Sequence, residues 1–252
     1  MKTSILLVMG MAAVVLAQAP MPDPKTAIVP RMDAQVNIDG VLDEQPWQKA
    51  VHLTPFARND ATTPARVETE VRLWYDQAAL YLGWICQDPD IQATFTQHDS
   101  RFWEEEVVEF FVTTGPLDRY FELQWNPLGG TFDAIIANDL GPDGSSRQFK
   151  GDWAYTAESM TSAVKVNGSV QDSSDRDIRW TVEARIPFAD LKARPPAPGD
   201  VWRGSFYRFN RDRDGEPEPL SWSPTIFPGF HQPARFGYLR FAGPPPDPKT
   251  RR

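Results

Sequence analysis

Along most of the chain, apolar and polar positions alternate with a period of two, and turn-forming residues interrupt the alternation at short intervals. Val67, Thr69, Val71, Leu73 and Tyr75 alternate with Glu68, Glu70 and Arg72, which predicts a half-buried strand. Asp76-Gln77-Ala78-Ala79 turns the chain, 80–87 returns as the second arm of a hairpin, and Asp88-Pro89-Asp90 ends it. Strands follow at 106–113, 119–126 and 131–138, joined by turns at 115–118 and 126–130. Residues 139–151 are polar without helical periodicity and predict a long loop. Further strands are predicted at 164–170, 178–186, 202–210, 220–223 and 236–241, with one helical turn at 187–191, where Pro187 suits the first helical position. No segment sustains a 3.6-residue period. Many short strands separated by turns predict an all-β chain folded as a sandwich or barrel.

Composition adds domain limits. Residues 1–17 have the order of a secretory signal peptide: Lys2, the apolar run 5–16 and the small Ala17. Cleavage before Gln18 is expected, and the protein is expected to be exported, periplasmic or extracellular. Residues 18–35 read as a proline-rich leader, 36–242 as one domain and 243–252 as a tail. No later segment is apolar enough to span a bilayer. Against 34 acidic residues stand 26 Lys and Arg, a formal net charge of −8, which argues against nucleic acid and anionic lipid as partners. The single cysteine, Cys86, lies in an apolar strand and reads as a buried thiol.

The chemistry concentrates at Trp103-Glu104-Glu105-Glu106-Val107-Val108-Glu109-Phe110-Phe111-Val112. Period two puts Val107, Glu109 and Phe111 on one face and Val108, Phe110 and Val112 on the other. Glu109 thus falls among apolar neighbours, where an unpaired charge is costly. A tryptophan beside a fixed carboxylate suits a sugar: the ring stacks on the C–H face and the acid accepts hydroxyl hydrogen bonds. The alternative is a core tryptophan followed by an edge strand with a solvated Glu. Trp47, Trp84, Trp180 and Trp202 occupy strand or signature positions and read as core; Trp103, Trp125 and Trp153 lie beside turns, which leaves room for an exposed ring.

The order of blocks resembles carbohydrate-binding module family 9 in its secreted, stand-alone form. Ile38-Asp39-Gly40-Val41-Leu42-Asp43-Glu44 with Trp47 is similar to the family's opening signature. Val71-Arg72-Leu73-Trp74-Tyr75-Asp76, the Trp103 to Phe111 block, Tyr120-Phe121 with Asn126 and Gly130, Trp180-Thr181-Val182-Glu183, and Ser221-Trp222-Ser223-Pro224 running to Phe236-Gly237-Tyr238-Leu239 follow in order. The resemblance implies a two-sheet antiparallel β-sandwich, jelly-roll-like and of immunoglobulin size or larger. It implies a polysaccharide or oligosaccharide ligand, a glucan or xylan chain end, held between two rings matching Trp103 and Phe230, with Glu109 as the site glutamate. The family's best-known site has an arginine where Glu122 stands and a glutamine where Arg208 stands. The expected sugar-binding set is Trp103, Glu109, Glu122, Arg208, Phe230 and His231, with no catalytic residue, in support of polysaccharide catabolism. Calcium is expected from the resemblance as a structural ion.

Other readings of the same residues stay open. Glu109 and Glu122 on consecutive strands are also the residue types of a glycoside hydrolase pair. A structural or protein-binding sandwich with a degenerate groove is a third reading, and a haem domain using Met160 and His231 a fourth. Asn210-Arg211-Asp212-Arg213-Asp214-Gly215 begins like a calcium loop, but the twelfth position is Ser221 instead of Glu.

Overall fold

The computed structural model describes residues 21–213 and 215–244. The expected signal peptide, most of the expected tail, and Asp214 of the calcium-like loop lie outside the described residues. In chain order the elements are β1 (Thr26–Val29), α1 (Gln45–Lys49), β2 (Val51–Leu53), β3 (Ala57–Arg58), β4 (Thr69–Tyr75), β5 (Ala79–Gln87), β6 (Val107–Thr113), β7 (Arg119–Trp125), β8 (Thr131–Leu140), β9 (Ser146–Asp152), β10 (Thr161–Asn167), β11 (Arg179–Pro187), β12 (Val201–Asn210), β13 (Glu218–Ser221) and β14 (Gly237–Phe241). They form a β-sandwich. The large sheet runs β1-β14-β12-β6-β7-β8-β9, with β13 and β3 continuing from β12, and the small sheet runs β10-β11-β5-β4-β2. The strand pairs are antiparallel, except that β1 lies parallel to β14.

Alternation along each strand sorts side chains into three apolar layers. Val108, Phe110, Val112, Leu123, Trp125 and Phe206 of the large sheet meet Val71, Leu73, Leu82, Trp84, Trp180 and Val182 of the small sheet in the central core. A second layer, including Val107, Phe111, Tyr120, Phe132, Tyr207 and Phe236, covers the outer face of the large sheet. A third, around Trp47, Trp74 and Tyr81, covers the outer face of the small sheet beneath α1. Each fully buried large side chain contributes about 1.5–3 kcal/mol, so the central layer holds the sandwich together and the outer two hold what is laid over it.

On the outer face of the small sheet a buried glutamate ties the amino-terminal segment down. Glu183 accepts hydrogen bonds from the main-chain N–H groups of Asp39 (2.9 Å) and Gly40 (3.0 Å) and from Trp47 Nε1 (2.9 Å). Its cross-strand partner is Gly83. A Cβ at Gly83 would stand 2.7 Å from Leu42 and 3.2 Å from the Trp47 ring, so the missing side chain makes room for the segment.

Four local expectations differ from the structure. Within the expected leader, Thr26–Val29 is a core strand, with Ala27 and Val29 buried; four residues flanked by prolines give too short a pattern to read. The expected loop 139–151 contains the end of β8 and most of β9. As the sheet's edge strand, β9 has no core-facing alternation. In place of the helical turn expected at 187–191, Pro187 ends β11 and 188–192 form successive hydrogen-bonded turns. Trp125 is fully buried in the core. Cys86 is a free, buried thiol, and burial pushes it up to about 12.

Candidate functional site

A cavity of about 470 Å³ opens on the outer face of the large sheet. Its floor is made by β6 and β7. Glu109 pairs in register with Gln124, and Phe111 with Glu122, so the two glutamates are diagonal neighbours on one face. Glu109, Glu122 and Gln124 are 2%, 5% and 1% exposed.

The walls come from segments laid over that floor. Trp103 sits in a 3₁₀ turn, Phe102–Glu104, directly before β6. Phe102 is seated because Gly130 has no side chain; a Cβ there would meet its ring at 2.6 Å. Arg211 clamps the same turn by donating to the carbonyls of Glu105 and Trp103, both at 3.2 Å. The Glu105 carboxylate accepts from the N–H groups of Thr94 (2.7 Å) and Phe95 (3.1 Å). Trp103 is therefore a fixed, half-buried ring.

Trp103, Phe132 and Trp153 form a triangle of edge-on contacts, with centroids 5.5, 5.8 and 5.6 Å apart. Gly151 opens the space for Trp153: a Cβ there would lie 2.4 Å from the indole nitrogen. On the other side, Phe230 stacks on Tyr207 at 4.3 Å and 10° and is 3% exposed. It joins the cavity wall from a loop that reverses at Gly229, whose φ is +79°.

His231 stacks on Phe149 at 3.6 Å. Its Nδ1 lies 2.7 Å from the Tyr120 hydroxyl, and that hydroxyl accepts from Asn138 Nδ2 at 3.4 Å. Tyr120 therefore donates to Nδ1. Burial pulls the His231 ring down to about 3, so it is neutral at pH 7. Its Nε2 lies 4.0 Å from Glu122 Oε2.

Both floor carboxyls are held above the usual range. For Glu109 the causes are burial first and the neighbouring Glu122 second. For Glu122 burial dominates, opposed by the hydrogen bond from Gln124 Nε2 at 2.6 Å. The Glu109 carboxyl makes no hydrogen bond among the described residues, and Gln124 Oε1 is buried without a partner. No Lys or Arg lines the cavity among the described residues. Chemically this is an aromatic enclosure over acceptors that the protein itself does not satisfy.

Arg208 is a correction to the expected set. It is fully buried on the opposite face of the large sheet, inside the sandwich. Its Nη2 pairs with Asp88 and Glu106, each at 2.8 Å, and donates to Asn210 Oδ1 at 2.7 Å; its Nη1 donates to Thr69 and to the Gln87 carbonyl. The reason is alternation along β12. Tyr207 and Phe209 turn outward, and Arg208, in register with core-facing Val108, turns inward. Trp103, Glu109, Glu122, Phe230 and His231 come together in one cavity. Gln124, Phe132, Phe149, Trp153 and Phe209 belong to it too. Gln124 was readable as two residues beyond Glu122 on the same strand, whereas Phe149 sits in a polar stretch that gives no signal.

The calcium-like loop commits its described oxygens elsewhere. Asn210 Oδ1 accepts from Arg208, and Asp212 faces Arg66 at 3.7 Å and accepts from Asn210. The described residues that converge on one point are His98, Asp99 and Asp133. His98 Nε2 is 3.3 Å from Asp99 Oδ1 and 3.9 Å from Asp133 Oδ2, and its Nδ1 is 3.0 Å from Thr131 Oγ1. One imidazole and two carboxylates suit a borderline transition metal. Calcium takes roughly six to eight oxygens, which this group does not supply.

The sequence model of carbohydrate-binding family 9 matches residues 54–241. Among curated proteins no sequence matches the chain. Three solved structures share the fold. One is a protein of Bacteroides uniformis ATCC 8492 described as a candidate carbohydrate-binding protein, 21% identical, with a TM-score of 0.67 over 87% of this chain and 100% of that one. The others are a family 9 carbohydrate-binding module of Caldicellulosiruptor kristjanssonii in two complexes. The cellotriose complex is 16% identical, with a TM-score of 0.60 over 89% of this chain and 97% of the other. The glucose complex is 16% identical, with a TM-score of 0.58 over 88% and 98%.

Proposed function

The chain belongs to carbohydrate-binding family 9, and on that premise we propose that the cavity on the large sheet is its sugar site. In this reading the protein is an exported, non-catalytic module that holds the end of a glucan-like or xylan-like chain and supports polysaccharide breakdown. The observation that carries it is the pairing of partly exposed rings with buried, unsatisfied acceptors in one cavity. Rings such as Trp103 and Trp153 lie against the C–H faces of a pyranose, and Glu109, Glu122 and Gln124 take its hydroxyls. The glucose and cellotriose held by the Caldicellulosiruptor module support a ligand of this size. Export is supported by the order of charge, apolar run and small residue in 1–17.

Catalysis fits less well. A glycosidase needs one carboxyl ionised while the other holds its proton, whereas burial raises both Glu109 and Glu122. The test is a calorimetric and tryptophan-fluorescence titration with cello- and xylo-oligosaccharides. Wild-type protein should bind, and Trp103→Ala should weaken binding about fivefold or more with its melting curve kept, since a desolvated stacking contact is worth about 1 kcal/mol or more. Absence of binding to every saccharide, or unfolding of Trp103→Ala, would overturn the reading. Release of reducing ends would replace it with hydrolysis.

A further inference from the structure

The floor of the cavity has an unusual charge balance. Two carboxyl groups are buried side by side, and neither has a cationic partner. The nearby cations are committed elsewhere: Arg208 to Asp88 and Glu106 on the other face of the sheet, and Arg211 to the carbonyls of Trp103 and Glu105. The remaining titratable groups facing the floor are His231 on its loop, Tyr120 on β7 and Tyr207 on β12, and none of these supplies a positive charge: burial keeps His231 neutral and pushes both tyrosines up.

We propose that the cavity selects a glycan carrying a protonated primary amine, a glucosamine-type amino sugar, over the neutral sugar of the same shape. The inference rests on the cavity being the sugar site. An alkylammonium group offers three hydrogen-bond donors. Glu109, Glu122 and the unpartnered Oε1 of Gln124 offer three acceptors on one floor. The aromatic walls add the faces on which a desolvated cation is stabilised. A neutral hydroxyl brings one donor and leaves the floor carboxyls in the protonated form that burial favours, whereas an ammonium group supplies the counter-charge that lets one of them release its proton to solvent and pair as a carboxylate. A quaternary ammonium brings none, so the three acceptors favour the primary amine. The backbone of such a glycan keeps the ring shape of a β-glucan and satisfies the same stacking walls.

The experiment is calorimetry on the exported protein with three matched ligands: the fully deacetylated glucosamine trimer, its N-acetylated counterpart, and cellotriose, at pH 6 and moderate salt. The amino trimer should bind at least tenfold more tightly than cellotriose, and acetylation, which removes the charge, should abolish the advantage. In the Glu109→Gln, Glu122→Gln double variant the ratio between amino trimer and cellotriose should fall towards one. Cellotriose binding as tightly as the amino trimer would overturn the inference and leave the sugar site standing. A preference that survives in the double variant would also overturn it, because the attraction would then come from the acidic surface at large. If none of the three trimers binds, the sugar-site reading falls with the inference.

Discussion

Both sheets carry buried glutamates on their outer faces, and the two faces treat them oppositely. On the small sheet, Glu183 accepts from two main-chain N–H groups and the Trp47 indole. Burial lifts its carboxyl somewhat, and those three bonds oppose the lift. On the large sheet, Glu109 has no donor among the described residues, and Glu122 has Gln124 alone. Burial alone does not mark a functional acid. What separates a fastening from a binding group is whether the chain supplies the donors. The small sheet's glutamate holds the segment from Asp39 to Trp47 in place. The large sheet's pair is left for a partner outside the chain.

The comparison can be broken in several places. Arg208 is the strongest test, because a sugar-binding arginine and a core arginine fail differently. Arg208→Met leaves Asp88 and Glu106 buried without their cation. The expected loss is about 3–5 kcal/mol, and at about 2–4 °C per kcal/mol for a chain of this size the melting temperature should fall by more than 5 °C. A variant that melts normally and only binds sugar less well would return Arg208 to the cavity. Glu183→Ala strands two buried donors, the Gly40 N–H and the Trp47 indole, and leaves the Asp39 N–H part-exposed; about 2 kcal/mol or more should be lost, given that each unsatisfied buried group costs about 1–3, and denaturant unfolding measures it. The same experiment on Glu109→Ala should show a far smaller loss, and equal losses would erase the distinction between the faces.

Smaller effects sharpen the picture. Gly151→Ala should push the Trp153 ring off the floor and weaken binding severalfold with little change in melting. The floor acids should also show in the pH dependence of stability. A carboxyl raised on folding contributes stability below its unfolded value and loses it as pH rises through the raised folded value. Glu109→Gln should therefore melt like wild type near pH 4 and at higher temperature than wild type near pH 8.5. A constant difference at both pH values would show that the shift is absent. The smallest effect is expected from chelation. Excess EGTA should leave the melting temperature unchanged, because the described side-chain oxygens of the calcium-like stretch, on Asn210 and Asp212, already face Arg208 and Arg66; a fall would reveal a bound calcium ion.

Much of the fold was legible because central strands alternate strictly. The hairpin of β4 and β5, the meander from β6 to β8, and β11 and β12 all show period two against a half-buried face. The elements that escaped are short or at an edge, where one face packs on nothing: β1, β2, β3 and β9. In the site, alternation applied to β6 placed Glu109 beside Trp103 in the cavity. Applied to β12 it would have turned Arg208 inward, since Tyr207 and Phe209 claim the outer face. Following the resemblance at that one position set the strand's parity aside. Trp153 was legible as a ring beside a turn, and it is exposed, but its place in the cavity and that of Phe149 were out of reach, because they depend on β9 folding back onto β8, and that pairing leaves no mark in a polar stretch.

The triangle of Trp103, Phe132 and Trp153 has a consequence for how this surface can change. Each ring leans its edge on the other two, and the three come from a turn, a central strand and the segment after the sheet's last strand. Replacing one corner removes a support from both others, so their substitutions should not add independently. A surface built this way does not drift through a continuous series of ligand preferences. Altered specificity should emerge when two or three corners are exchanged together, and libraries that vary them singly should find mostly weakened binders.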